Sequence, residues 1–134
     1  MPKKILIVED DESLLKLESI LLSTKGYLVY GAMTGVAALS DIAEDHPDLI
    51  ILDITLPGLD GFEVCRQIKG NPETRHIPVL FLSGKTTPAD ILRGNLAGAD
   101  QYITKPFKSA KVLAAIKLLL EKEGSHSGKQ EMLH

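Results

Sequence analysis

Five short runs of apolar residues alternate along the chain with longer stretches in which apolar residues recur every three or four positions. The runs, which we interpret as strands, are residues 5–8, 27–30, 49–52, 79–82 and 102–103. The first, third and fourth runs are continuously apolar, which is typical of strands covered on both faces. Five strands alternating with five helices, joined by right-handed crossovers, predict an α/β fold with a doubly wound parallel sheet.

The stretches between the runs carry residues that commonly begin or end helices. Ser, Thr and Asp favour the position before a helix, and Gly favours the position after one. The predicted starts are Thr34, Asp60, Thr87 and Ser109, and the predicted ends lie at Gly26, before His46 and at Gly98. The apolar faces expected to cover the sheet are Leu14, Leu17 and Leu21 in the first helix, Leu39, Ile42 and Ala43 in the second, and Val112, Leu113, Ile116, Leu119 and Leu120 in the fifth.

Composition narrows the class of protein. A chain of 134 residues with 44 % hydrophobic content predicts one domain with a real core, which we place at residues 1–122, followed by a polar tail or the start of a linker at 123–134. The net charge of −3, with both signs scattered, argues against a nucleic-acid-binding face. No apolar run approaches the ~20 residues of a membrane span. The single cysteine, Cys65, is interpreted as a small buried side chain; it fits a reducing compartment, and we expect a cytoplasmic location.

Acidic residues directly follow two of the predicted strands. Glu9 and Asp10 close the first apolar run, and Asp53 closes the third. In open α/β sheets, ligands bind beyond the carboxyl ends of the strands where the strand order reverses, and in the common order 2-1-3-4-5 this point lies between strands one and three. Carboxylates held so close repel one another, and Mg²⁺ relieves the repulsion while leaving room for phosphate oxygens. We therefore predict a magnesium site here, whereas Asp11 and Glu12 are interpreted as solvated residues at a helix N-terminus.

Two further residues extend this acidic set. Ser83 ends the fourth run, and Lys105 follows the fifth. Carboxylates, a hydroxyl and a lysine are suited to carrying a phosphoryl group, because phosphoryl transfer depends on positioning and on neutralising charge. No His/Cys cluster suits zinc, and the four histidines are interpreted as surface residues: His46, His76, His126 and His134.

Four segments that contain these residues resemble the response-regulator receiver domain (CheY-like) of two-component signalling. They are Ile-Val-Glu-Asp-Asp at 7–11, Leu-Asp-Ile-Thr-Leu-Pro-Gly-Leu-Asp-Gly at 52–61, Leu-Ser-Gly at 82–84 and Tyr-Ile-Thr-Lys-Pro-Phe at 102–107. The resemblance covers residues 3–122. It implies a flavodoxin-like (βα)5 fold with the strand order 2-1-3-4-5.

The resemblance also implies roles at the site. Asp53 matches the phosphoacceptor, a carboxylate nucleophile, and Lys105 matches the lysine that pairs with it and then with the phosphoryl oxygens. Asp10 matches the direct Mg²⁺ ligand, Glu9 the acidic residue that holds the metal through water, and Thr55 the residue whose backbone carbonyl is a third ligand.

Three further positions match the switch elements of the family. Ser83 matches the switch hydroxyl, Tyr102 the switch aromatic, and Pro106 a proline that usually follows a cis peptide bond. The implied function is a switch whose surface at helix four, strand five and helix five changes on phosphorylation. The expected partners are a sensor histidine kinase or phosphotransfer protein and a downstream protein target, with neither nucleic acid nor membrane. No enzymatic activity beyond self-phosphorylation and self-dephosphorylation is expected.

One branch of the family, the DNA-binding regulators of the OmpR type, is a poor match. Ile91, Gln101, Lys111 and Ala115 stand where that branch tends to carry the Arg, Asp, Glu and Arg of a charged dimer face. We therefore expect neither that dimer nor a winged-helix output. Because only a short tail follows the domain, we expect a single-domain regulator, and a fragment of a longer protein stays open as the alternative.

Two rival functions remain at this point. A phosphatase of the haloacid dehalogenase type also uses Asp, Mg²⁺ and Lys, but it needs a second Asp as general acid where this chain has Thr55. A receiver-like adaptor that is never phosphorylated would have no need for the intact set of Asp10, Asp53, Ser83 and Lys105.

Overall fold

The computed structural model describes the backbone of residues 2–133 and the side chains of residues 2–121. The strands are β1 (Lys4–Val8), β2 (Leu28–Ala32), β3 (Leu49–Leu52), β4 (Val79–Ser83) and β5 (Gln101–Thr104). The helices are α1 (Glu12–Ser23), α2 (Gly35–Asp45), α3 (Gly61–Gly70), α4 (Pro88–Leu96) and α5 (Ser109–Leu133). All strand pairs are parallel and the order is β2-β1-β3-β4-β5, as predicted.

The sheet is covered on both faces, which explains the continuous apolar runs. On β1, Leu6 and Val8 pack with residues of α2 and α3, whereas Ile5 and Ile7 point to the opposite face and pack with residues of α1 and α5. Every residue of β3 and β4 is buried. Alternate side chains of a strand therefore enter two different apolar layers, so neither face tolerates a polar residue before the strand ends.

Three of the predicted helix starts are confirmed by hydrogen bonds at their N-terminal caps. Thr34, Asp60 and Thr87 each accept a bond from the backbone N–H three residues on, at 3.1, 2.9 and 3.1 Å. Such caps satisfy donors that have no partner inside the helix. Gly26 and Gly98 follow α1 and α4 with positive φ angles of 91° and 98°.

The predicted inner face of α1 is wrong by about one residue position. Leu17 is 60 % exposed, and the buried residues of the helix are Glu18 and Leu22. The reason lies on β2, where Gly31 has no side chain and Leu15 fills the space; a Cβ at residue 31 would come within 2.8 Å of Leu15 Cδ1. With Leu15 against the strand, Leu17, which is two residues or about 200° further around the helix, faces outward.

A smaller error concerns α2. Ala43 was predicted on the inner face but is exposed, whereas Ala38 and Ile42 are buried. The burial follows the spacing of four residues from Ala38 to Ile42, which the two adjacent apolar residues at 42 and 43 obscured.

The C-terminal residues were also the subject of predictions. The polar tail predicted at 123–134 lies beyond the described side chains and stays a prediction, as do the surface positions of His126 and His134. Within the described part of the chain, no helix combines the length and the apolar composition that a bilayer crossing requires.

Candidate phosphoacceptor and metal site

Three carboxylates meet at the carboxyl ends of β1 and β3. The two strands pair with Val8 opposite Leu52, and the backbone N–H of Asp53 donates to the carbonyl of Val8 at 3.0 Å. Carboxylate oxygens of Glu9, Asp10 and Asp53 all lie within 4.8 Å of one another. Glu9 and Asp53 are buried, and Asp10 is exposed. The sheet therefore brings together the acidic residues that the sequence placed at two separate strand ends.

Lys105 supplies the positive charge of this cluster. Its Nζ lies 2.6 Å from Glu9 Oε1 and 3.5 Å from Asp53 Oδ2. Burial raises the pKa of Glu9, and the hydrogen bond from Lys105 only partly opposes that effect. Burial works against the charged form of Lys105, but the bond to Glu9 and the charge of Asp53 outweigh it and raise the pKa of the ammonium. One ammonium thus compensates several carboxylates, and the excess of oxygen ligands suits a hard cation such as Mg²⁺.

Ser83 and Lys105 are held side by side by the pairing of β4 with β5. Ser83 lies opposite Thr104, and the backbone N–H of Lys105 donates to the carbonyl of Ser83 at 2.8 Å. The Ser83 side chain is buried, and its Oγ accepts a bond from the N–H of Lys85 at 3.2 Å. The Lys105–Pro106 peptide bond is cis.

Thr55 follows Asp53 at the edge of the site. Its N–H donates to Asp53 Oδ1 at 3.4 Å, and the Thr55 side chain is exposed. A groove of about 260 Å³ opens beside this segment, and its walls include Thr55, Lys85 and Arg93. The groove therefore adjoins the segment that follows Asp53.

Tyr102 is half-buried on β5, and its hydroxyl donates to the backbone carbonyl of Lys85 at 2.6 Å. Its ring packs on Phe81 with 5.7 Å between the centroids. A Cβ at Gly94 of α4 would come within 2.9 Å of Tyr102 Cδ2, so this glycine makes room for the ring. Burial raises the pKa of Tyr102. The tyrosine therefore joins the segment after Ser83 to the surface of α4.

The model of the response regulator receiver domain family matches residues 5–117. The chain belongs to this family. As a receiver domain, it takes part in phosphorylation-dependent signalling of the two-component type.

Individual relatives agree with this assignment. Response regulator PleD from Caulobacter vibrioides is 40 % identical over 119 residues, which are 89 % of this chain and 26 % of that protein. Protein PilG from Pseudomonas aeruginosa is 39 % identical over 114 residues, 85 % of this chain and 84 % of that protein. The structure of a CheY-like receiver domain protein from Methanospirillum hungatei matches with a TM-score of 0.89 and 28 % identity, covering 94 % of this chain and 99 % of that one. The chain thus spans about a quarter of PleD and most of PilG.

Three other residues singled out from the sequence, Cys65, His46 and His76, lie where they were expected. Cys65 is fully buried, and burial raises the pKa of its thiol to about 11. His46 and His76 are exposed.

Sequence reasoning missed Glu18, a buried carboxyl close to the site of this receiver domain. Only 4 % of the residue is exposed, and Glu18 Oε2 has no hydrogen-bond partner among the described residues. Burial, followed by the charge of Glu9, raises the pKa of Glu18 to about 7. The burial of Glu18 could not be predicted from the sequence, because the neighbouring Leu17 is the more apolar candidate for the inner face of α1.

This shift predicts a loss of stability as the pH rises. The pKa of Glu18 is about 7 in the folded chain against an ordinary 4.5, so the stabilising contribution is complete below pH 4.5 and is lost as the pH rises through 7. We expect the free energy of unfolding of Glu18→Gln, relative to that of the wild type, to be roughly 2–3 kcal/mol higher at about pH 8 than at about pH 4. Urea unfolding followed by circular dichroism at both pH values measures this difference. A constant difference would contradict the prediction.

Proposed function

We propose that this receiver domain is a switch in which Asp53 accepts a phosphoryl group from the phosphohistidine of a sensor histidine kinase or phosphotransfer protein, with Mg²⁺ bound. The observation that carries the proposal is the meeting of Asp53 with Glu9, Asp10 and the Lys105 ammonium at one end of the sheet. A nucleophilic carboxylate beside a cation and an oxygen-rich metal site suits phosphoryl transfer.

The chemistry of the transfer follows from these groups. A carboxylate oxygen of Asp53 attacks the phosphorus, a P–O bond forms, and the P–N bond of the phosphohistidine breaks with its electron pair going to the imidazole nitrogen. Lys105 is close enough to Asp53 to pair with the phosphoryl oxygens that arrive there. Its positive charge opposes the build-up of negative charge on those oxygens.

The residues that would hold the metal are Asp10 and Asp53 directly, Glu9 through water, and the backbone carbonyl of Thr55. Bound Mg²⁺ would supply a further positive charge to the equatorial phosphoryl oxygens. The carboxylates fit this role because their oxygens lie within 4.8 Å of one another and Lys105 leaves part of their charge uncompensated.

The switch that we propose uses Ser83 and Tyr102. The Ser83 hydroxyl would move toward the phosphoryl group and draw the segment of Lys85 with it. The Tyr102 hydroxyl is bonded to the Lys85 carbonyl, and so the tyrosine would follow and change the surface formed by α4, β5 and α5. A change from mostly inactive to mostly active requires ~5.5 kcal/mol. The partner of this surface would be a downstream protein in the cytoplasm.

The test is direct. The wild-type chain is incubated with acetyl phosphate and Mg²⁺, and intact mass spectrometry should find one phosphoryl group per chain. The same incubation with EDTA in place of Mg²⁺ should yield none. Absence of phosphoryl mass with Mg²⁺ present would refute the proposal, and steady turnover of p-nitrophenyl phosphate would favour the phosphatase instead.

A further inference from the structure

Helix α4 contributes little apolar surface to the core. All its side chains are described, and its one buried residue is Gly94, which has no side chain; Ala97, directly after the helix, is also buried. Leu92 and Leu96 are 57 % and 77 % exposed. A helix that buries so little gains little stability from packing, and so its polar contacts decide where it is fixed.

Two residues of α3 hold the short segment between α4 and β5. Cys65 Sγ donates to the carbonyl of Ala97 at 3.4 Å, and Lys69 Nζ donates to Asp100 Oδ2 at 2.9 Å. The Lys69 side chain also packs on Gly98, where a Cβ would come within 2.8 Å of Lys69 Cγ. The carboxyl end of α4 is therefore joined to α3 at three positions.

Lys69 and Asp100 also hold the start of β4. Lys69 Nζ donates to the carbonyls of Ile77 and Arg75 at 2.8 and 3.2 Å, so the ammonium uses all three of its donors. Asp100 Oδ2 accepts a second bond, at 2.8 Å, from the backbone N–H of Val79. Hydrogen bonds to charged groups are stronger than those between neutral groups. We call this pair of residues the Lys69–Asp100 clamp.

Among the described residues, the amino-terminal half of α4 makes no comparable set of contacts. Residues 84–89 are exposed. The groove of about 260 Å³ is lined by Asp90 and Arg93 of α4 and by Phe62 of α3, so open space lies beside this half of the helix. Two single contacts hold it: the Arg93 guanidinium lies 4.2 Å from the centre of the Phe62 ring, and the Tyr102 hydroxyl bonds to the backbone just before the helix. An exposed cation–π contact is weak.

We propose that the Lys69–Asp100 clamp is a pivot that fixes the carboxyl end of α4, so that the helix opens and moves at its amino-terminal half. On the proposed function, phosphorylation would displace residues 84–93 and leave residues 97–100 in place. That step rests on the proposed function, whereas the clamp does not, because its contacts exist in the unphosphorylated chain. The competing explanation is that the clamp only adds stability to the whole domain.

The first experiment measures amide hydrogen exchange by NMR in the metal-free, unphosphorylated chain. Two amides report the two ends of α4: Ile91 N–H is bonded to the carbonyl of Thr87, and Ala97 N–H to that of Arg93. After correction for intrinsic rates, Ile91 should exchange at least about tenfold faster than Ala97, because only the carboxyl end is fixed. Equal rates, as in a helix that frays at both ends, would overturn the inference.

Lys69→Met tests the clamp itself. It should accelerate exchange at Ala97 and Asp100 by roughly tenfold to hundredfold, and at Ile7 of the interior strand β1 by much less. Equal acceleration at all three amides would support the competing explanation and overturn ours. Lys16→Met, which removes the same charge from an exposed position on α1, should leave the rates unchanged.

A second variant covers the case in which Lys69→Met does not fold. Asp100→Asn keeps the shape of the side chain and its bond-accepting oxygen but removes the negative charge that Lys69 contacts. It should accelerate exchange at Ala97 about threefold to tenfold, again with less effect at Ile7. A uniform effect would overturn the inference here as well.

The second experiment adds Mg²⁺ and beryllofluoride, a stable mimic of a phosphoryl group on a carboxylate. In the wild type, the amide signals of residues 84–93 should shift, while residues 97–100 keep their exchange rates within about twofold; in Lys69→Met the change should spread to 97–100. Equal changes in both segments of the wild type would overturn the pivot. No response anywhere in the wild type would refute the proposed function instead, and the exchange rates of the unphosphorylated chain would still decide whether the clamp fixes α4.

Discussion

Asp53→Asn is expected to abolish phosphoryl incorporation from acetyl phosphate completely. The amide has nearly the shape of the carboxylate, but it has no anionic oxygen to attack phosphorus. The amide oxygen can keep one of the two bonds that the carboxylate accepts, from Thr55 N–H at Oδ1 or from Lys105 at Oδ2, so the neighbours of residue 53 need to move little. Intact mass spectrometry after incubation with Mg²⁺ should therefore find only the unmodified chain.

The melting temperature of Asp53→Asn is the control that shows whether this variant is folded. The charge of Asp53 raises the pKa of Glu9, which means that the two carboxylates repel each other. Removing one of them should leave the melting temperature unchanged or higher. Asp45→Asn, at an exposed position on α2, should be phosphorylated like the wild type. Phosphoryl mass on the Asp53→Asn chain would show that another residue is the acceptor.

Much of the site could be predicted because parallel strands end together. The apolar runs located β3 at its observed residues and β1 to within one residue, and each polar residue after such a run must lie at the same edge of the sheet. Glu9, Asp53 and Lys105 then had to meet, although they are far apart in the chain. The helix starts were equally readable, because a cap is a local interaction between residues three apart.

The rest depended on contacts between elements, which the pattern of one element does not contain. The face of α1 was set by Leu15 packing over Gly31 on β2, and so the burial of Glu18 was not predicted. The acceptor of the Tyr102 hydroxyl is a backbone carbonyl after another strand, and no side-chain identity reveals it. Periodicity assigns a helix face only to within about one residue, or about 100°.

Gly61→Ala is expected to destabilise the chain by roughly 2–4 kcal/mol. Gly61 is the first residue of α3, and its N–H donates to the carbonyl of Ile54 at 2.9 Å. A Cβ at this position would come within 2.7 Å of Ile54 Cα and still closer to the backbone carbonyl of Asp53. Backbone atoms that continue from a buried strand cannot yield as a flexible side chain does, and any shift moves Asp53 itself. Because Asp53 is displaced, its phosphorylation should be slower in this variant.

The same helix offers a matched control. Gly70 is the last residue of α3, and a Cβ there would meet nothing within 4 Å. Gly70→Ala should change the free energy of unfolding by less than about 1 kcal/mol, in the stabilising direction, because alanine favours the helix. Urea unfolding by circular dichroism measures both variants, and acetyl phosphate incorporation measures the site. A Gly61→Ala chain as stable as Gly70→Ala would mean that the loop after Asp53 adjusts freely, and the site would then depend less on the close approach of α3 than its geometry implies.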